Sequence, residues 1–339
     1  MQAVVYDAPR SFVVREVPTP EPGPGEVRVR IELAGVCGTD RHIHDGDFFA
    51  VFPLTPGHEP VGIVDAVGEG VSDVVVGRRV AVNGIDACGT CFYCRRGEPL
   101  HCRNLVALGV TGPGAFAEAM VAPASGVYAV DDLTPDVAVL AEPTACAMHG
   151  MEILAVRPGS SALLFGAGPT GLVLAQLLAH GGAAHVTVAA PSEFKLELAR
   201  SFGIDETVLA DRRDPAAAAA QIRQAHPDGF DVVVDATGTA AVSEQCVALA
   251  RDGGTVLFYG VTSPADRIAV SPYEIYRREI TIKGSFAQSH SFERAISALR
   301  SGRVRTEGII NRRFPLERFG DALEALRSDR AAHKVVVQP

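Results

Sequence analysis

Ser161-Ala-Leu-Leu-Phe165-Gly166-Ala-Gly168-Pro169-Thr170-Gly171 is the stretch on which the fold turns. An apolar run leads straight into Gly-x-Gly-x-x-Gly, and residues 169–180 then read as a helix. The glycine pattern alone is weak, but between a strand and a helix it becomes a specific sign of a dinucleotide site. Gly166 permits the tight turn, Gly168 lets the backbone approach a pyrophosphate, and Gly171 lets helix and strand pack closely. The helix N-terminus opened by Pro169 and Thr170 offers N–H groups and the positive end of a dipole to the phosphates. A tight turn without a ligand is the competing reading.

Outward from this motif, strands and helices alternate. Residues 185–190, 206–210, 230–236, 254–259 and 279–283 are strand candidates, with helical stretches between most of them, including an amphipathic 193–202. That alternation implies a parallel sheet covered by helices on both faces. The alanine run 216–220 reads as a helix surface, since alanine has the best helix propensity. Before Pro158-Gly159 the texture differs, rich in glycine, proline and short β-like runs. Residues 26–33 alternate charged and apolar side chains like a half-buried strand, after a turn cluster at 21–26. The C-terminal part holds helical runs at 292–299 and 319–326 and a strand-like 334–337. It has no sheet of its own, so it is expected to fold back on the first region.

Length and composition fit a two-domain globular chain of 339 residues, 47% hydrophobic and 21% charged. A net charge of −9 argues against a nucleic-acid partner, which would want a basic face. No basic-then-apolar leader follows Met1, and no apolar stretch is long enough to span a bilayer, so a cytoplasmic protein without a membrane partner is expected. Seven cysteines, an odd number, favour metal ligands and free thiols over a disulfide framework.

Four of them fall in one loop: Cys88, Cys91, Cys94 and Cys102. Four thiolates so close together can converge on one tetrahedral Zn²⁺. Four protein ligands leave no open position, so the ion would be structural. Other potential ligands are scattered: Cys37 in Gly35-Val-Cys-Gly-Thr-Asp-Arg-His42, His58 and Glu59 in Pro56-Gly-His-Glu59, and Glu142 in Ala141-Glu-Pro143. A thiolate, an imidazole and carboxylates suit an open zinc site. Spacing alone equally allows separate buried groups.

Taken together, the Cys-Gly-Thr-Asp segment, the Gly-His-Glu segment, the four-cysteine loop and the dinucleotide fingerprint, in that order along the whole chain, resemble the zinc-dependent medium-chain dehydrogenase/reductase family. The resemblance implies an α/β protein. A GroES-like β-rich catalytic domain would occupy 1–150 and 286–339, and a Rossmann doubly wound parallel sheet 151–285. It implies one catalytic and one structural zinc. Cys37 and His58 match metal ligands, and Glu59 matches an acidic neighbour that ligates or alternates with solvent. Glu142 matches the position where sorbitol-dehydrogenase-like members carry a glutamate. Thr39 matches the hydroxyl residue beside the substrate alcohol, His42 the histidine that passes the proton onward, and Asp40 the carboxylate that orients the histidine ligand. The family suggests homodimers or homotetramers.

Glu142 points to the polyol branch, with a polyol or alcohol as substrate, oxidised at a secondary hydroxyl to a ketone. The segment 45–53 resembles sugar-alcohol dehydrogenases and is expected to line the mouth of the cleft, with Phe48, Phe49 and Glu118 as candidate substrate contacts. Ala287 stands near the place where many sorbitol and threonine dehydrogenases carry an arginine. Simple alcohols, threonine-like amino alcohols and aldoses are alternative substrates, and a catalytically inactive cofactor-binding protein is the alternative outside enzymes. An NAD enzyme usually has an acidic residue about 20 residues beyond the glycine motif. Here Ala189-Ala190-Pro191-Ser192 stands there, with Ser192 and Lys195 as candidates for a 2′-phosphate. NADP is therefore favoured over NAD, although no arginine is present to fork the phosphate and Lys195 also reads as a solvated helix-face lysine.

Overall fold

The computed structural model describes residues 1–339, which form two compact units. One comprises Met1–Ala145, Gln288–Arg300 and Thr306–Pro339, and the other Cys146–Ala287 and Ser301–Arg305.

The second unit is built on six parallel strands in the spatial order Glu206–Leu209, Ala183–Ala190, Ser160–Phe165, Phe230–Asp235, Ala250–Phe258 and Thr281–Gly284. The chain order reverses at Ser160–Phe165, which pairs with its successor on one side and with Phe230–Asp235 on the other. In such a sheet the ligand crevice lies outside the carboxyl ends of the strands at the reversal. Successive residues Ala162, Leu163 and Leu164 are all fully buried. Because neighbouring side chains on a strand point to opposite faces, both faces are covered. The helix Pro215–Ala225 carries the alanine run, but Ala218 and Ala219 are buried, so only part of the run is surface. The last strand begins at Thr281, not at 279, because Glu279 adopts φ +51° and breaks the extended backbone.

The first unit centres on a mixed sheet in the order Ile310–Pro315, Lys334–Gln338, Glu26–Val36, Glu59–Val67, Arg79–Val82 and Val127–Ala129, with Ala119–Pro123 also paired to Glu26–Val36. Along the long strand Val27, Val29 and Ile31 turn into the core, while Arg28 points out to Asp65 at 2.8 Å. Tyr6, Phe116 and Phe319 anchor that core, Phe116 and Phe319 with ring centroids 4.9 Å apart. The C-terminal strand does return: Val335, Val336 and Val337 pair with Val36, Gly35 and Ala34. That pairing brings Lys334 beside the end of Glu26–Val36, where the candidate site begins.

Candidate metal centres and dinucleotide turn

Cys37 follows the strand and caps the helix Gly38–Asp45. Its backbone N–H donates to Asp40 Oδ2 at 2.9 Å, and its Sγ accepts from the Thr39 N–H at 3.3 Å. Cys37 Sγ lies 3.0 Å from His58 Nε2. On the far side of the ring, His58 Nδ1 faces Asp40 Oδ1 at 3.6 Å, and neither atom has a hydrogen-bond partner. Asp40 thus holds the cysteine backbone with one oxygen and addresses the histidine with the other.

Glu59 opens its strand, and its carboxylate is ion-paired with Lys334, each side chain only 2% exposed. Gly35 makes the pair fit: a Cβ there would fall 1.9 Å from Glu59 Oε2 and 2.9 Å from Lys334 Cε. The ligand atoms of Cys37, His58 and Glu59 all lie within 4.8 Å of one another. Glu142, near the start of the helix Ala141–Leu154, is outside this group, but its charge helps raise the pKa of His58 and of Lys334.

The electrostatics fit a cation. Burial alone would lower the His58 pKa, yet Cys37 and Asp40 raise it well above the ordinary histidine value. Burial lifts Asp40 to about 6 despite its neighbours His58 and the Cys37 N–H. Burial opposes the charge on Lys334 too, but Glu59 and Cys37 outweigh it and raise its pKa. A thiol and three carboxyls, Asp40, Glu59 and Glu142, thus act on one imidazole and one ammonium. A divalent ion beside Cys37 and His58 would relieve that imbalance.

Thr39 lies on the first turn of the same helix. His42 is buried on the second, its Nδ1 at 2.8 Å from Asp47 Oδ1 and its Nε2 at 3.4 Å from Arg41 Nη2. Phe48 stacks against Phe49, whose side is half exposed, with ring centroids 4.4 Å apart. Glu118 is tied to the chain's beginning, accepting the Gln2 N–H at 2.8 Å.

In the cysteine loop Cys88, Cys91, Cys94 and Cys102 converge. Cys91 and Cys94 sulfurs are 3.5 Å apart, as are those of Cys88 and Cys102. A disulfide would need about 2.05 Å, whereas tetrahedral Zn–S bonds of about 2.3 Å set sulfurs near 3.8 Å apart. Hydrogen bonds from the Thr90 backbone and hydroxyl bring the Cys88 thiol down to about 6, while burial and its thiol neighbours push Cys94 up to about 12. A cation between them would favour the thiolate at Cys94 against that upward shift.

In the other unit, Gly166 takes φ +109°, a region open to glycine, and a Cβ on Gly171 would fall 2.2 Å from the Gly166 carbonyl oxygen. A Cβ on Gly168 would meet nothing within 4 Å, so the space in front of the helix Pro169–His180, with Thr170 on its first turn, is open. That open space at a helix N-terminus fits a pyrophosphate. The neighbouring strand ends at buried Ala190 without a carboxylate. Ser192 caps the next helix, Glu193–Ser201, with no side-chain capping bond, and Lys195 lies on its first turn.

Three residues of these sites escape a reading of the sequence. Lys334 had a signal, a lone charge heading the apolar Lys-Val-Val-Val. Asp47 and Asp235 had none. Asp235 accepts bonds from the Thr237 N–H at 2.8 Å and hydroxyl at 2.7 Å, which braces the turn beside Gly166.

Residues 23–132 match the family profile described as the alcohol dehydrogenase GroES-like domain, and residues 169–301 the one described as zinc-binding dehydrogenase. D-arabinitol dehydrogenase 1 of Uromyces fabae is 43% identical over 340 residues, covering 100% of this chain and 97% of that protein. The chain belongs to the zinc-dependent medium-chain dehydrogenase/reductase family. Within it, D-altritol 5-dehydrogenase of Agrobacterium fabrum is 36% identical, with 99% of this chain and 98% of that protein covered. Among solved structures, a protein assigned as a zinc-binding dehydrogenase from Sinorhizobium meliloti 1021, bound to NADP, superposes with a TM-score of 0.94. It is 32% identical, with 100% of this chain and 99% of that chain covered. No helix of this family member is long and apolar enough to cross a membrane.

Proposed function

We propose that this protein is a zinc- and NAD(P)-dependent polyol dehydrogenase. It reversibly oxidises a secondary hydroxyl of a sugar alcohol to a ketone by hydride transfer to the nicotinamide. The observation that carries this is the convergence of Cys37, His58 and Glu59, in a chain whose similar proteins include dehydrogenases named for D-arabinitol and D-altritol.

Cys37 and His58 would hold the catalytic zinc, with Glu59 or Glu142 as the exchangeable oxygen donor, and Cys88, Cys91, Cys94 and Cys102 the structural one. Zinc, when bound, supplies Lewis-acid polarisation of the substrate hydroxyl, and the nicotinamide supplies the hydride acceptor. Asp40 orients the His58 ring so that Nε2 faces Cys37 Sγ. Lys334 pairs with Glu59 and restrains it in a buried place. Thr39 Oγ1 takes the hydroxyl proton and passes it to His42. Asp47 holds the proton on His42 Nδ1, and Nε2, 3.4 Å from Arg41 Nη2, takes the proton as that long contact gives way.

Residues 1–150 and 286–339 would supply the catalytic part and 151–285 the dinucleotide-binding part, bounds that differ from the compact units by a few residues and at Ser301–Arg305. Gly166, Gly168, Pro169, Thr170 and Gly171 receive the pyrophosphate. NADP is preferred over NAD: Ala190 brings no charge against a 2′-phosphate, while Ser192 offers a hydroxyl and Lys195 a cation. Free cysteines throughout suit a reducing, cytoplasmic compartment, where the enzyme works as a homodimer or homotetramer.

A panel of pentitols and hexitols, followed by nicotinamide absorbance with each cofactor, tests the reading. Turnover with at least one polyol is expected, lost by at least about 1,000-fold in Cys37→Ser. Protein carrying two zincs per chain that oxidises no polyol, or a Cys37→Ser variant with wild-type rates and zinc content, would refute it.

A further inference from the structure

A second group of metal-ligating side chains lies in the dinucleotide-binding unit, among residues that the proposed reaction does not use. His185 stands near the start of Ala183–Ala190, Glu206 opens the edge strand Glu206–Leu209, and His226 follows the helix Pro215–Ala225. Their ligand atoms lie within 4.8 Å of one another. Glu206 Oε2 is 3.2 Å from His185 Nε2 and 2.8 Å from His226 Nε2. Three ligands on a tetrahedral ion at about 2.0–2.1 Å stand about 3.3 Å apart, so small rotations would carry these atoms onto one ion.

The trio is held in place before any ion arrives. Strand pairing sets Thr187 opposite Glu206, and the Thr187 hydroxyl donates to Glu206 Oε2 at 2.9 Å. His185 lies two residues from Thr187 and therefore on the same face of the strand. The His226 ring stacks on fully buried Phe230 at 4.6 Å, and its backbone N–H ends the helix on Ile222 O at 2.8 Å. His185 Nε2, the Thr187 hydroxyl and His226 Nε2 thus all converge on the one oxygen, Glu206 Oε2. The side chains of His185, Glu206 and His226 are 41%, 33% and 25% exposed, so solvent can reach a fourth position.

We propose that His185, Glu206 and His226 form a further metal site, taking a borderline divalent ion of the Zn²⁺, Co²⁺ or Ni²⁺ class with water as fourth ligand. Two imidazoles and one carboxylate are the ligand set that such ions favour over Mg²⁺ or Ca²⁺. The site's effect is structural. Glu206 and His185 mark the starts of their strands, whereas the glycine turn follows the end of Ser160–Phe165. An ion there would tie an edge strand to its neighbour and to a helix end, and would leave the reaction untouched.

The experiment adds Co²⁺ and Ni²⁺, near neutral pH, to full-length protein prepared with two zincs per chain. Wild type should take up one extra ion per chain, its Co²⁺ spectrum free of thiolate charge-transfer bands, and should melt at a higher temperature with the ion present. His185→Gln and His226→Gln should each weaken uptake at least about ten-fold while keeping basal turnover, and lose the thermal shift. The spectrum of wild type decides even if a variant does not fold. Uptake only with thiolate bands would mean that Co²⁺ had displaced zinc at a cysteine site. That result, no extra ion, or equal uptake by the variants would overturn the proposal.

Discussion

Replacing Lys334 by Met tests the buried pair at the heart of the first unit. Lys334 and Glu59 are each only 2% exposed and are paired with one another in the space left by Gly35. Methionine keeps the volume and removes the charge, leaving the Glu59 carboxyl without its counter-charge in a place that water does not reach. Breaking a buried pair from one side costs about 3–5 kcal/mol. In a domain of this size that corresponds to about 2–4 °C per kcal/mol, so a fall in Tm of about 6–20 °C is expected for metal-free protein. Two controls sharpen the reasoning. The Glu59→Gln/Lys334→Met double variant removes both charges and should recover most of the loss, since a neutral replacement of a buried pair is often close to neutral in stability. Zinc should shrink the loss in Lys334→Met, because a dication beside Cys37 and His58 offsets the orphaned carboxylate. Calorimetry of the three proteins, with chelator and with zinc, reads all of this. A metal-free Lys334→Met protein melting within about 1 °C of wild type, or a double variant no better than the single, would refute the argument.

The glycines of the turn should separate packing from binding. Gly171→Ala drives a methyl group into the Gly166 carbonyl oxygen and should cost about 3 kcal/mol, measured by denaturant unfolding. Gly168→Ala points into open space, so stability should fall by no more than about 1 kcal/mol while NADP affinity by calorimetry drops at least about ten-fold. Ser192→Asp sets a carboxylate where a 2′-phosphate is expected, and the NADP-to-NAD ratio of kcat/KM should fall at least about ten-fold, like charges being costly at close range. Cys94→Ser should release one zinc per chain to a colorimetric chelator and loosen residues 88–102 to protease, with the zinc at Cys37 and His58 retained. The stability that Glu206 lends through its lowered pKa is present at neutral pH and should be lost as pH falls through its folded-state value, with Glu206→Gln showing a flatter acid limb in thermal melts.

Where the physics was local, the sequence sufficed. The glycine turn lies within one strand–turn–helix unit, and the four cysteines lie within one loop, so their spacing already implies their geometry. Parallel strands buried on both faces announce themselves as apolar runs, as at residues 161–165. The strand edges were less legible: a left-handed backbone at Glu279 delays the last strand, and the packing of Ala218 and Ala219 depends on what lies beneath them. The meeting of Cys37, His58 and Glu59 was readable only through family resemblance, since nothing in their spacing requires it.

From the sequence alone came the fold class, the strand–glycine turn–helix unit and the clustering of four cysteines, each written in short-range patterns of glycine, cysteine and apolar residues. The tertiary structure decided which distant groups meet. Strand pairing of the C-terminal tail with residues 34–36 puts the Lys334 ammonium on Glu59, and strand register puts Glu206 between His185 and His226. Burial and charge balance act through space, so they are set only once the chain has closed upon itself.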